Sequence, residues 1–440
     1  MTTIKNPILL QGGLLIDPAS EREEVCDIRI SGSLITAIEP SLQPGVDETV
    51  IDAKGLWICP GFIDLHSHLR DLGQKDKEDI DSGTKAAAAG GFTTVVAMAN
   101  TDPPIDNATT LAVLLRSIKE NAHIEVLPVA SVTRGLEGLE LTNMADLAEL
   151  GAVAFSDDGM TISNLAVLKR ALEYARVSER VIISHAEDRD LSAGGAIHEG
   201  ATATCKGLHG ISAASETAAV AREIEVVRLT DAPYHFTHLS CAGSVELVRR
   251  AKEDGLPITA DVTPHHLTLT VDEIPGYDTN YKMKPPLRLS TDQAALIAGL
   301  LDGTIDAIAT DHAPHTRMDK ATTMDEAAVG IIGLETAFAL CHERLVTTGI
   351  LTNMQLISLF TTKAARVLDL PTPTVQSGAD ANIAVFHPTY AWTYDVTTGF
   401  SKSRNSPYNG RLLTGKNIMT IYRGKAVYRD DKLLATLVKK

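Results

Sequence analysis

Phe92-Thr93-Thr94-Val95-Val96-Ala97-Met98 is a strand-length run with almost no polar relief. Its aromatic and β-branched residues favour an extended chain, and the lack of polar alternation suits a strand covered on both faces. Strands of that kind belong to parallel sheets flanked by helices. Further candidates lie at 58–66, 124–132, 152–158, 180–187, 234–240, 257–263 and 305–311, with the opening run extending over 92–100. Helical stretches fall between them, as at 164–178, 215–229, 244–254 and 292–301. Eight strand-then-helix units predict a closed (β/α)8 barrel of the TIM type.

Both ends of the chain read differently. Residues 1–57 carry short strands broken by turn residues, such as Ile8-Leu9-Leu10 before Gly12-Gly13. The segment 371–440 repeats the style in Ile383-Ala384-Val385-Phe386 and Ile418-Met419-Thr420-Ile421. Neither end alone has enough strands for a stable sheet. Together they are expected to form one small β-sandwich beside a barrel of 58–370.

The chain has 440 residues, and α/β barrels often reach such lengths as one unit. Its formal net charge of -16 disfavours nucleic acid and anionic membranes as partners. An anionic small molecule remains open, because a few local cations outweigh a distant field that salt screens. The start MTTIKNPILLQGG lacks the basic and long apolar regions of a signal peptide, and no apolar run reaches membrane-spanning length. Five scattered cysteines (Cys26, Cys59, Cys205, Cys241, Cys341) without a CxxC predict reduced thiols in a cytoplasmic protein.

The first barrel strand ends in Pro60-Gly61-Phe62-Ile63-Asp64-Leu65-His66-Ser67-His68. Residues two apart on a strand share a side, so His66 and His68 can offer both imidazoles to one ion. An isolated HxH is weak, and its position strengthens it. Barrel enzymes place their chemistry at the carboxyl ends of the strands. Those ends supply His66 and His68, then Asp157-Asp158, His185, His238 and Asp311. Imidazole and carboxylate donors of this kind suit zinc.

At these residues the chain resembles the dihydroorotases of the amidohydrolase superfamily. His66-Ser67-His68-Leu69-Arg70 is similar to the family's opening motif, and Ala309-Thr310-Asp311-His312-Ala313-Pro314-His315 to its closing signature. Further matches are Ala97-Met98-Ala99-Asn100-Thr101, Phe155-Ser156-Asp157-Asp158-Gly159, Val262-Thr263-Pro264-His265-His266-Leu267, the GIIGLETAF of 330–338 and the SKSRN of 401–405. The resemblance implies two zinc ions. His66, His68 and Asp311 would hold the first, and His185 and His238 the second. Many relatives bridge the ions with a carboxylated lysine. This chain has no lysine in Phe-Ser-Asp-Asp-Gly, so an aspartate bridge is expected, with Asp158 preferred over Asp157.

The implied reaction is the reversible cyclisation of N-carbamoyl-L-aspartate to L-dihydroorotate, a step of pyrimidine synthesis. Two metals would acidify a bridging water and polarise the ring carbonyl, with Asp311 carrying the proton as general base and acid. Arg70 suits a carboxylate clamp. The resemblance adds His68, Asn100, His315 and backbone around Val329 and Gly330 as substrate contacts. Lys284 stands where the family usually has Asn, so either its side chain meets the substrate differently or backbone serves instead. His265 and His266 are assigned to structure, and His123, His198, His209, His235, His342 and His387 fit no ligand pattern. A homodimer and association with aspartate transcarbamoylase are the partner expectations. The competing readings are a hydantoinase or allantoinase, and an inactive homologue that serves the transcarbamoylase as a scaffold.

Overall fold

The computed structural model describes residues 7–437. Eight parallel strands follow one another in sequence order: Phe62–Ser67, Phe92–Ala97, Glu125–Ala130, Ala154–Phe155, Val181–Ser184, Tyr234–Phe236, Ile258–Val262 and Ala307–Ile308. The last returns to the first through a parallel bridge between Ser67 and His312, where the His68 N–H donates to His312 O at 2.9 Å. Helices cover the outside. Leu165–Val177, for example, is started by Asn164, whose side chain accepts from the N–H groups of Ala166 and Val167. Capping satisfies donors that the first helical turn leaves unpaired.

Two departures from the expected strands have physical causes. The stretch 58–66 is two elements: Trp57–Pro60 joins the terminal sheet and Phe62–Ser67 opens the barrel. Gly61 permits the changeover, since a Cβ there would stand 2.2 Å from the Thr93 side chain. Apart from His66, which lies within Phe62–Ser67, the proposed site residues sit beyond the ends of the barrel ladders. Beyond the strand ends the backbone twists away, and Arg70, His238 and Asp311 take φ values of +54°, +42° and +45°. Side-chain residues rarely occupy that left-handed region except where their surroundings hold them.

Segments from the two ends pair into one eight-stranded sheet. Its path runs Lys425–Arg429, Leu412–Tyr422, Ile383–Thr393, Trp57–Pro60, Ile8–Asp17, Arg22–Ser31 and Leu34–Glu39, with Thr49–Asp52 also on Ile8–Asp17. The sheet curls over its own apolar core of Ile8, Leu10, Ile28, Ile30, Ile383 and Ile421. Its two outer turns meet: a Cβ on Gly424 (φ +73°) would fall 1.8 Å from Gly32 O. Five of the eight phenylalanines, Phe62, Phe92, Phe338, Phe360 and Phe386, cluster where this sheet meets the barrel. Among the described residues no helix is long and apolar enough to cross a membrane.

Candidate metal centre

Side chains from five strand ends converge at the carboxyl end of the barrel. His66 Nε2 and His68 Nε2 lie 3.2 Å apart. Asp158 Oδ2 is 3.5 Å from each, and Asp311 Oδ1 is 3.5 Å from His66 and 3.2 Å from His68. Opposite them, His185 Nδ1 and His238 Nε2 are 3.0 Å apart, with Asp158 Oδ1 at 3.7 and 3.6 Å. Asp158 thus turns one oxygen to each set. Donor atoms about 2.05 Å from a tetrahedral zinc stand about 3.3 Å from one another. The observed separations match that spacing.

The outward hydrogen bonds test whether a cation belongs here. His68 Nδ1 lies 2.9 Å from Asn100 Oδ1, an atom that can only accept, so Nδ1 carries the hydrogen. Asn100 is oriented by its other end, whose Nδ2 donates to Asp158 Oδ2 at 3.0 Å. The free position on the His68 ring is therefore Nε2, and it faces His66 Nε2. At this distance the pair requires either a proton on His66 Nε2 or a metal ion beside both nitrogens. Asp158 Oδ1 is buried and has no hydrogen-bond partner among the described residues. Burial opposes charge at this point, yet Asp158 and Asp311 raise the His66 imidazolium to about 10. Burial likewise opposes ionisation of Asp158 and Asp311, but His66 and its neighbours hold both carboxyls well below the usual range. The centre favours positive charge, and a metal ion can take the place of the proton. The groups His66, His68, Asp158 and Asp158, His185, His238 each have the closeness needed to hold one.

Asp157 points elsewhere. Its carboxylate accepts from Val132 N at 2.8 Å, Thr133 N at 3.0 Å and the Thr133 hydroxyl. Burial nevertheless pushes it up to about 6. Cys241 Sγ likewise packs on Ser244 Oγ at 3.1 Å and on Glu216, and burial pushes its thiol up. His266 is engaged with Thr263 Oγ1 at 2.8 Å and Pro285 O at 3.1 Å. His265 is buried beside it, and burial holds its imidazole well below the usual range.

A cavity of about 270 Å³ opens onto the centre, with Arg70, Asn100, Lys284, His315 and Val329 in its walls. Arg70 Nε donates to Pro314 O at 3.3 Å, and among the described residues no carboxylate pairs with its guanidinium. His315 donates its Nε2–H to Val329 O at 2.8 Å. Burial, then the Arg70 charge, lowers His315 to about 3, so its ring is neutral at pH 7. Gly330 takes φ +154°, and a Cβ there would stand 2.5 Å from Ala313 O. Lys284 turns to Glu187, with Nζ 2.8 Å from Oε2.

Three contributors escaped the sequence reading. Glu187 is two residues beyond His185, and its Oε2 lies 3.6 Å from His185 Nε2. Its spacing of two from His185 is the available sequence signal, although the strand itself ends at Ser184. Asn405 bonds Ala313 O at 2.9 Å, Gly330 O at 3.0 Å and, as acceptor, His315 N at 3.0 Å. It lies 90 residues from His315 in sequence; the SKSRN match at 401–405 ends on it, but carries no sign of these partners. Thr237 meets His66 Nδ1 at 2.8 Å from within the barrel.

A (β/α)8 barrel with a two-part His/Asp centre at its carboxyl end, flanked by a sheet made from both termini, defines an enzyme of the amidohydrolase class. The family pattern described as dihydro-orotase-like matches residues 55–244. The chain is 45% identical over 418 residues to a dihydroorotase of Solibacter usitatus, covering 95% of this chain and 97% of that one. It is 44% identical over 426 residues to a dihydroorotase of Bacillus subtilis, covering 97% and 99%. The chain belongs to the dihydroorotase family. Among solved structures, an L-hydantoinase of Arthrobacter aurescens superposes with a TM-score of 0.85 at 23% identity, covering 96% of each chain. A dihydropyrimidinase of Brevibacillus agri gives 0.83 at 24%, covering 96% of this chain and 95% of that one. At these identities the likeness is one of fold.

Proposed function

We propose that this chain is a dihydroorotase that interconverts N-carbamoyl-L-aspartate and L-dihydroorotate at a two-zinc centre. The observation that carries the substrate is Arg70. A partly buried guanidinium with no carboxylate partner among the described residues, beside a metal-competent cluster, calls for an anionic ligand. His66, His68 and Asp311 would hold one ion, His185 and His238 the other, and Asp158 both. When bound, the ions supply acidified water and a polarised ring carbonyl.

The chain's own groups do the rest. Asp311 reaches both imidazoles with Oδ1 and borders the cavity. It takes the proton of the attacking water and returns it to the ring nitrogen, and the reverse for cyclisation. Arg70 clamps the carboxylate that stays on the ring. His68 and Asn100 border it, and His315 holds the Val329–Gly330 backbone against the ring. Lys284 would act through its ion pair with Glu187 at the cavity edge rather than as a free donor. Residues 58–370 form the catalytic unit in this reading, apart from 58–60, which pair with the terminal sheet, and 1–57 and 371–440 are its β companion. Cytoplasmic location, in keeping with five free thiols, a homodimer and contact with aspartate transcarbamoylase complete it.

Metal content by elemental analysis, with turnover of L-dihydroorotate and N-carbamoyl-L-aspartate against hydantoin and allantoin, tests the proposal. Two zinc per chain and selective turnover of the first pair are expected. A metal-free protein inert toward both dihydroorotate and its ring-opened form would sink it. Asp158→Ala should lose both metal and activity, while Asp157→Ala should retain metal.

A further inference from the structure

Behind the proposed ligands, inside the barrel, lies a carboxylate that the proposed reaction does not use. Asp261, in the strand Ile258–Val262, is fully buried. Its Oδ2 accepts from His235 Nε2 at 2.8 Å and from the Thr237 hydroxyl at 3.1 Å. Its Oδ1 accepts from the His238 backbone N–H at 2.7 Å. Thr237 Oγ1 lies 2.8 Å from His66 Nδ1. One carboxylate therefore reaches a ligand of each half of the centre, His66 through a hydroxyl and His238 through its main chain.

Proton direction follows from the chemistry of each atom. A carboxylate only accepts, so Thr237 spends its single proton on Asp261. The hydroxyl can then only accept from His66, which places hydrogen on Nδ1 and leaves Nε2 to face the metal. The second arm restrains the backbone. It holds His238 at φ +42°, a conformation that persists only where the surroundings impose it. His235 secures the carboxylate from behind, with its Nδ1 2.8 Å from Thr259 Oγ1.

We propose that Asp261 is a positioning residue for both metal sites at once, fixing the His66 tautomer through Thr237 and the His238 main chain directly. This rests on reading His66 and His238 as ligands. Partners behind metal-bound histidines set ligand orientation, and their loss typically weakens metal binding about 10–100-fold.

Stepwise Zn²⁺ titration of the demetallated protein against a chelator of known affinity gives the test, the step lost in His68→Ala marking the His66 site. Thr237→Val removes one arm and should weaken that step about 10–100-fold with the other unchanged, and Thr237→Ser should restore it. In Asp261→Asn the new amide oxygen must stay on the His238 N–H, so its NH2 meets Thr237. The Thr237 proton is then driven toward His66 Nδ1, and the same step should weaken. Two ions bound by both variants as tightly as by wild type would overturn the proposal while leaving the metal centre standing, as would equal weakening of both steps in Thr237→Val. In the zinc-loaded wild type, ¹⁵N resonances should show His66 protonated at Nδ1, and protonation at Nε2 overturns the relay without any variant. A wild type that takes up no zinc overturns the underlying reading as well.

Discussion

Arg70 carries its charge into a place where an unpaired guanidinium is costly, and a substrate carboxylate would offset that cost. Lysine keeps the charge but loses the planar fork. Arg70→Lys should therefore lower kcat/KM by about 10–100-fold, the equivalent of about 1.5–3 kcal/mol for hydrogen bonds to a charged group, mainly through KM. Unchanged steady-state kinetics would refute the clamp. At Glu223 burial outweighs the hydrogen bonds made to the carboxyl. Desolvation raises its carboxyl from 4.5 to about 7, although Ser184 Oγ and Tyr234 OH donate to it at 2.7 and 3.0 Å. Below about pH 4.5 it is neutral folded or unfolded and costs nothing. Between 4.5 and 7 the unfolded chain ionises first, so stability falls as pH rises, by a total on the order of 3 kcal/mol. Glu223→Gln should gain about that much relative to wild type between pH 4.5 and 8, measured by urea midpoints. A difference that does not vary with pH would contradict it. His66, His68 and Arg70 could be read from the sequence because each sits in a short motif. Glu223 and Asp261 could not, because a carboxylate in a strand or helix carries no local sign of what will cover it.

At the scale of elements, the strand and helix order follows from local pattern, and the expected helices 164–178 and 244–254 appear as Leu165–Val177 and Ala242–Glu253. Strand ends were less readable. A ladder stops where neighbouring strands diverge, which depends on partners remote in sequence. The fourth strand is accordingly only Ala154–Phe155, and Asp158 lies on the turn beyond it. The loops around the cavity depend on Asn405 in the same way. Removing its side chain strips hydrogen bonds from Ala313 O, Gly330 O and His315 N, all near the cavity wall. Asn405→Ala should destabilise by about 1–3 kcal/mol and raise KM more than it lowers kcat. An unchanged KM would show that other contacts hold these loops.

Across the whole molecule, the two chain ends are joined at Gly32 and Gly424, and the phenylalanine cluster fixes their sheet to the barrel floor. Gly424→Ala adds a Cβ that overlaps Gly32 O and requires a left-handed φ for a side-chain residue. A loss of at least about 2 kcal/mol is expected from these two effects. A urea midpoint equal to that of wild type would mean that the seam is not needed. The sequence by itself determined the eight-fold alternation, the pairing of the two ends and the residue types of the centre. Those rest on local periodicity and on short motifs, which a linear chain carries intact. Only the tertiary structure decided that Asp158 rather than Asp157 faces the histidines, that Lys284 turns to Glu187, and that Asp261 lies behind both halves of the centre. Each of those outcomes depends on which distant donor occupies the neighbouring strand, and that is settled when the barrel closes.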